Sequence, residues 1–382
     1  MIPYGRQSIS AADKAAVLAV LDSDWLTQGP AVPQFETAAA ALCDAPHAVA
    51  VSSGTAALHL ACLALGIGPG DRVWTSPITF VASANCARYC GADVDFVDVE
   101  PDSVNLDPRC LADKLHAARR DGTLPKLVIP VHFAGRCCDM EAIGELSQEF
   151  GFHVVEDACH AFGAEDGQGD RVGACRHSDI AVTSFHPVKM VTTGEGGLLT
   201  TRAAALAERL ARLRSHGIVR DPKDMGGEPD GPWYYEQIEL GYNYRMTDLQ
   251  AALGSSQLKR LPQFLAQRRQ LVGRYRELLA TLPATLPAAG ADDASAWHLF
   301  VVRVAAARRR AVFEALRAAG IGVNVHYIPV HLQPDYRRLG FVPGMFPEAE
   351  RYYRETITLP LFPELTEDAQ SQVAAALAEA LQ

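Results

Sequence analysis

The stretch SFHPVKMVTTGEGG, residues 184–197, lies between two short apolar runs, DIAVTSF (179–185) and GGLLTT (196–201). Runs of this length, rich in β-branched residues and bounded by glycines and polar residues, predict buried strands joined by a loop. The loop carries one lysine, Lys189, among His186, Pro187 and a glycine-rich exit. Such a lysine is either a solvated loop charge or a nucleophile placed beyond a strand end, and the rest of the chain separates the two.

Outward from this loop, between about Ala48 and Thr201, similar runs recur: AVAVSS (48–53), RVWTS (72–76), DVDFVDV (93–99), KLVIPVH (126–132) and FHVVED (152–157). They alternate with helical patterns such as TAALHLACLALGIG, which Gly66 and Gly68 close. Strands alternating with helices predict an α/β fold with a parallel or mixed sheet and helices on both faces. Ahead of it, Ala11–Asp22 reads as an amphipathic helix. From Asp248 the pattern turns mainly helical, and an α+β region follows with strands expected near WHLFVVRV and VNVHYIPV. The expected division is residues 1–255, an arm plus a large domain, and residues 256–382, a smaller C-terminal domain.

The 382 residues carry a net charge of −10, which argues against a nucleic-acid binder because phosphates attract a positive field. No apolar run approaches the roughly 20 residues of a membrane span, and the opening MIPYGRQSIS lacks a secretory apolar core. A cytoplasmic protein is the expectation. Nine cysteines scattered through apolar segments fit buried thiols better than a disulfide framework. Cys86 with Cys90, and Cys137 with Cys138, have no matching downstream pair, so no metal site is expected.

In open α/β sheets ligands bind beyond the carboxyl ends of strands. The residues following the expected strands are Ser52-Ser53-Gly54-Thr55, Thr75-Ser76, His132, Asp157 with His160, and Ser184 with Lys189. SSGTAAL places small residues at a helix N-terminus, which is either an ordinary cap or an anion cradle. Asp157 is either a cap, a structural ion-pair partner or a functional carboxylate. Lysine usage sharpens the choice at 189. The other lysines (Lys14, Lys114, Lys126, Lys223 and Lys259) lie in charged helices, at a strand start or in a polar loop, and arginine dominates elsewhere. Arginine keeps its proton, whereas a desolvated lysine loses one readily and forms Schiff bases. A phosphate cradle, a carboxylate and a lysine at three strand ends are what pyridoxal 5′-phosphate requires.

SSGTAALHL, PITFVASAN, VEDACHAFGA, SFHPVKMVTTGEGG, RSHGIVR and LGYNYRMTDLQAALG together closely resemble the DegT/StrS-type sugar-nucleotide aminotransferases. The resemblance runs over nearly the whole chain. It implies a pyridoxal-phosphate transferase of fold type I, aspartate-aminotransferase-like, with Lys189 as the Schiff-base lysine and Asp157 as partner of the ring nitrogen. By the same resemblance His160 lies close to the ring, Phe80 stacks on it, and Gly54, Thr55 and Ser184 line the phosphate. Asn243 reaches the phosphate from a neighbouring subunit, which implies a homodimer. Tyr4, Trp25, Leu26, Thr27, His326 and Tyr327 match stretches that border the sugar nucleotide. LTQGP (26–30), SFHPVK, RSHGIVR and VHYIPVHLQPDYRRLGF resemble the branch of the family that serves pseudaminic acid biosynthesis. There, L-glutamate aminates C4 of a UDP-linked 4-keto-6-deoxy-N-acetylhexosamine. Phe80 departs from the larger aromatic of many relatives, and residues 221–237 look longer than usual.

Three other readings compete. A pyridoxamine-dependent sugar dehydratase of the same fold carries histidine in place of the lysine. A non-catalytic regulatory homologue has no need of Asp157, Ser184 and Lys189 together. A nicotinamide dehydrogenase is opposed by Gly66, Gly68 and Gly70, which end a helix instead of opening one. Among the histidines, His59 is expected in the core, and His47, His116 and His153 at surface or packing positions. His216, His326 and His331 are the better ligand candidates, and His298 is undecided.

Overall fold

The computed structural model describes residues 1–290 and 292–382. The 184–197 loop joins neighbouring strands of a seven-stranded sheet built from β1 (His47–Val51), β2 (Arg72–Thr75), β3 (Asp93–Phe96), β4 (Leu127–Ile129), β5 (His153–Asp157), β6 (Ile180–Ser184) and β7 (Gly197–Thr201). Their spatial order is β1-β7-β6-β5-β4-β2-β3. β3, β2, β4, β5 and β6 are parallel, while β7 runs antiparallel to both β6 and β1. Every residue of β4 and β7 is buried. The continuous Leu-Val-Ile of β4 follows from that, since helices cover both faces of such a sheet.

The helices before and around this sheet are α1 (Ala11–Leu21), α2 (Ala31–Leu42), α3 (Gly54–Ala64), α4 (Ala82–Tyr89), α5 (Pro108–Asp121), α6 (Met140–Phe150), α7 (Ala204–Leu213) and α8 (Asp248–Leu258). Ala, Leu and Cys surround α3 on all sides, and it is buried along nearly its whole length; a helix apolar all round belongs in a core. Ser53 caps it by accepting a hydrogen bond from the Ala56 amide. The register fixes where α3 begins. Gly197 pairs with Val51 on one side and Ser184 on the other, so the end of β1, the end of β6 and the start of α3 meet there. A Cβ on Gly197 would fall 2.4 Å from the Ser53 carbonyl oxygen. Gly197→Ala is therefore expected to destabilise the fold by about 1–3 kcal/mol, the usual range for overpacking, read as a lower denaturant midpoint at unchanged slope.

Past a short pair of two-residue strands, β8 (Ile218–Val219) and β9 (Glu236–Gln237), the remainder forms a second layer. Its long helix α9 (Leu261–Leu279) and helices α10 (Ala306–Ala318), α11 (Pro334–Arg337), α12 (Pro347–Glu355) and α13 (Glu367–Ala380) accompany the antiparallel pair β10 (Phe300–Arg303) and β11 (Thr356–Leu359). Tyr275, Phe300, Val302, Leu316, Ile357 and Leu377 centre a separate apolar cluster there. The expected strand over VNVHYIPV does not form. Asn324 alone makes a bridge, to Thr358. Pro329 has no amide to offer a ladder, and side-chain bonds hold the segment instead: His326 Nδ1 lies 2.8 Å from Thr358 Oγ1.

The nine cysteines are free thiols; Cys43, Cys62, Cys86, Cys138 and Cys175 are buried, Cys90, Cys137 and Cys159 half-buried and Cys110 exposed. Among the described residues no helix is long and apolar enough to cross a membrane.

Candidate active site

A cleft of about 680 Å³ opens where the carboxyl ends of β5 and β6 meet the start of α3. That size suits a cofactor with part of a substrate. Gly54, Thr55, Phe80, Asp157, His160, Ser184 and Lys189 line it from the sheet side, and Tyr4, His326 and Tyr327 from the opposite side. Tyr4 arrives on the N-terminal arm, which is pinned by an Ile2–Ile321 bridge and by the Leu361 amide donating to the Tyr4 carbonyl at 3.0 Å.

At the floor, the first two amides of α3, those of Gly54 and Thr55, have no intrahelical acceptor, because a helix start leaves its first N–H groups free. Ser184 stands against them. A Cβ on Gly54 would lie 2.9 Å from Ser184 Cβ and 3.2 Å from its hydroxyl, so glycine keeps the cradle open. Free amides plus the helix dipole favour a phosphate here.

Asp157 ends β5, 5% exposed. Its Oδ2 accepts from Ser83 Oγ at 2.5 Å and its Oδ1 from the Cys159 amide at 3.2 Å. Ser83 Oγ is also 2.7 Å from Thr79 Oγ1. These bonds fix the carboxylate's orientation and leave it a partner for one cationic N–H in the cleft. Ser83→Ala removes a charge-assisted hydrogen bond, which is worth about 1.5–3 kcal/mol. We expect the variant to lose about tenfold or more in turnover, with Asp157 itself unchanged, measured by steady-state kinetics beside a stability control.

Lys189 projects into the same space, its Nζ 3.5 Å from His298 Nε2. Burial pushes its pKa below the ordinary lysine range, against the opposing pull of the Cys159 and Asp157 charges. A larger fraction of neutral amine follows, as nucleophilic and base chemistry requires. His160 Nδ1 accepts from the Ala134 amide at 3.3 Å, so its proton resides on Nε2, 3.1 Å from the Tyr327 hydroxyl. Burial, with Lys189 and His326 adding to it, holds His160 well below the usual imidazole range. Phe80 lies at the rim, 59% exposed, with its ring 6.5 Å from that of Tyr327. The cleft thus gathers a helix start with free amides, a buried carboxylate, a rim aromatic and an amine in one space.

Other expected residues lie elsewhere. Trp25 and Leu26 are exposed, at 56% and 48%, and Thr27 bridges to Thr247. Asn243 is exposed and bridges to Ser215. None of these four borders the cleft formed by this chain. His132 turns away and bonds Glu156 at 2.9 Å, fully buried. The Thr75 hydroxyl is used by the Ile129 carbonyl at 2.8 Å. His331, expected as a ligand candidate, is buried and bonds Glu350 at 3.0 Å, while His59 is a core residue 3.2 Å from the Tyr244 hydroxyl. His186 is exposed on the cleft's lip.

Ser83, Glu195 and Gln333 also line the cleft and were not singled out from the sequence. For Ser83 the only signal was its place in PITFVASAN, three residues after Phe80. Glu195 and Gln333 gave none.

Residues 7–378 match the DegT/DnrJ/EryC1/StrS aminotransferase family. The chain is 41% identical to the spore coat polysaccharide biosynthesis protein SpsC of Bacillus subtilis (strain 168), over 96% of this chain and 94% of that one. The crystal structure of the aminotransferase TlmJ from Streptoalloteichus hindustanus is similar with a TM-score of 0.90 and 33% identity, covering 100% of this chain and 99% of that one. Helicobacter pylori PseC, an aminotransferase involved in the biosynthesis of pseudoaminic acid, gives a TM-score of 0.91 at 28% identity, over 100% of this chain and 99% of that one.

Proposed function

Because the chain belongs to the DegT/DnrJ/EryC1/StrS family of pyridoxal-phosphate-dependent sugar aminotransferases, we propose that it moves the amino group of L-glutamate to C4 of a UDP-linked 4-keto-6-deoxy-N-acetylhexosamine. The observation that carries the transaminase reading is Lys189, an amine with a lowered pKa set in one cleft with Asp157 and the start of α3. A dehydratase of this fold replaces that lysine, which opposes the dehydratase reading.

Bound pyridoxal phosphate supplies an electron sink for bond breaking at the amino-bearing carbon. In this reading the Gly54 and Thr55 amides and the Ser184 hydroxyl hold its phosphate, and Asp157 keeps a proton on its ring nitrogen. Phe80 covers one face of the ring and His160 stands beside it. Lys189 Nζ removes the α-proton of glutamate and, in the second half of the cycle, delivers a proton to C4 of the sugar. Tyr4, His326 and Tyr327 close the far side and exclude water.

No arginine is among the described residues lining the cleft, yet both glutamate and a nucleotide diphosphate are anions. In this reading a second copy of the chain completes the site. Asn243, Trp25, Leu26 and Thr27 then reach the neighbour's cleft, and the exposed apolar set Leu18, Leu21, Trp25 and Leu26 is covered in a homodimer. Sedimentation of the purified protein tests this, and a monomer with full activity overturns it.

The sugar assignment rests on SFHPVK, RSHGIVR and VHYIPVHLQPDYRRLGF and on the similarity to PseC. The higher identity to SpsC, 41% against 28%, favours a second reading, another nucleotide-linked keto sugar. The deciding experiment offers glutamate with UDP-, dTDP- and GDP-linked keto sugars and identifies the product by mass and NMR. Reaction of dTDP or GDP substrates alone eliminates the UDP assignment and leaves the aminotransferase reading intact.

A further inference from the structure

His298 has no part in the cofactor-holding set, yet its backbone is held by several hydrogen bonds from distant segments. It lies in AWHLF, just before β10, and is 4% exposed. The Ala296 amide donates to the Gly135 carbonyl at 3.0 Å and the Leu299 amide to the Ala134 carbonyl at 3.3 Å. Arg268, 1% exposed, donates to the carbonyls of Trp297 at 3.1 Å, His298 at 3.4 Å and Leu361 at 3.0 Å. A buried guanidinium held by carbonyls is costly to desolvate, so this one is strongly constrained in position. Gly135 permits the approach: its φ is +103°, and a Cβ there would lie 2.6 Å from the Trp297 nitrogen and 2.9 Å from that of His298.

This mount presents the imidazole to Lys189, with Nε2 3.5 Å from Nζ. Three imidazoles surround the amine, and two have both nitrogens engaged. His160 uses Nδ1 with the Ala134 amide and Nε2 with Tyr327. His326 uses Nδ1 with Thr358 and Nε2 with the Asn324 side chain, at 3.4 Å. Among the described residues, His298 Nε2 meets no partner but Lys189, and its Nδ1 has none. A separation of 3.5 Å is the outer edge of hydrogen-bond reach, and the lysine's flexible four-carbon stem closes the remainder.

We propose that His298 is a positioning residue for the transamination: its Nε2 accepts a hydrogen bond from the Lys189 amine and aims the amine's lone pair into the cleft. The proposal rests on the aminotransferase reading above. One N–H is thereby tied to His298, and the lone pair faces the carbon whose proton is exchanged. The groups facing His298 are Lys189, His160, Arg268 and His326, with Asp157 and Cys159 acting on Lys189 from the sheet side. Burial, reinforced chiefly by the neighbouring Lys189, holds the His298 imidazole well below its ordinary range. The acceptor is therefore not lost to protonation at working pH.

Three variants test it. His298→Phe keeps a ring and removes the acceptor, His298→Gln carries an amide out to the Nε2 position, and His298→Asn stops near Nδ1. We expect the Phe and Asn variants to lose about 100-fold in kcat, the scale of a misplaced reacting group, with KM for glutamate nearly unchanged; Gln restores most of the loss. A second readout needs no turnover. Selective acetylation of Lys189 in cofactor-free full-length chain, followed against pH by peptide mass, gives the pKa of the amine. An acceptor binds an ammonium more strongly than an amine, so the midpoint is expected to fall in the Phe variant and return in Gln. Unchanged kcat and midpoint in the Phe variant, or a Gln variant as poor as Phe in both, overturns the proposal. A wild-type protein with no glutamate half-reaction instead removes the aminotransferase reading, and the acetylation midpoints still decide whether His298 binds the amine.

Discussion

Lys189→Ala is expected to abolish turnover, with a loss of about 10⁴-fold or more, the upper range for a removed acid–base group. Among the described residues lining the cleft, no other offers a second amine. The neighbouring imidazoles are poor substitutes: burial and Lys189 itself hold His160 and His298 well below the usual histidine range, so each is a weak base. The check is glutamate-dependent release of 2-oxoglutarate, with the visible absorbance of lysine-bound cofactor recorded in parallel. The variant should bind cofactor without acquiring that absorbance. Multiple turnovers in the variant would place the chemistry elsewhere.

The second large effect is expected at Asp157. Replacing it with Asn keeps the shape and removes the charge, and an amide nitrogen placed at Oδ2 no longer accepts from Ser83. Removal of a preorganised electrostatic partner typically costs about 10²–10³-fold in kcat. We expect a loss of this size in the glutamate half-reaction, larger than that of Ser83→Ala. The order decides the interpretation, because Ser83 acts only through the carboxylate. Equal losses in the two variants would mean that orientation, and not charge, is what Asp157 contributes.

The strands of the large sheet and the convergence of Gly54, Asp157, Ser184 and Lys189 were legible because buried strands carry an unmistakable apolar signature and ligands gather at their carboxyl ends. The same rule misplaced Thr75 and His132. Their positions in sequence match those of Asp157, but a neighbouring carbonyl and a buried glutamate had already taken them. Whether a polar strand-end residue is free depends on partners from distant segments, which no local pattern displays. VNVHYIPV failed as a strand for a related reason: residues 324–328 line the cleft in succession, and the segment is held by side-chain bonds that no local alternation displays. His298 stayed undecided because its meaning lies in Arg268 and Gly135, both remote in sequence and both invisible as motif. Asn243, Trp25, Leu26 and Thr27 could be matched to a family pattern, whereas a single copy of the chain places them away from its own cleft.

The antiparallel placement of β7 has a consequence for synthesis. Residues 47–51 and 184 cannot be brought side by side until residues 197–201 slide in between them. While the chain emerges from the ribosome, α3 and β1 are made early and wait, their glycine-lined start uncovered, for a strand made far later. Non-local pairing of this kind is slow and leaves apolar edges exposed in the interval. The junction of β1, β6 and the start of α3 is thus complete only once β7 has entered. A ligand that binds there and not to the unfolded chain shifts the balance away from unfolded forms.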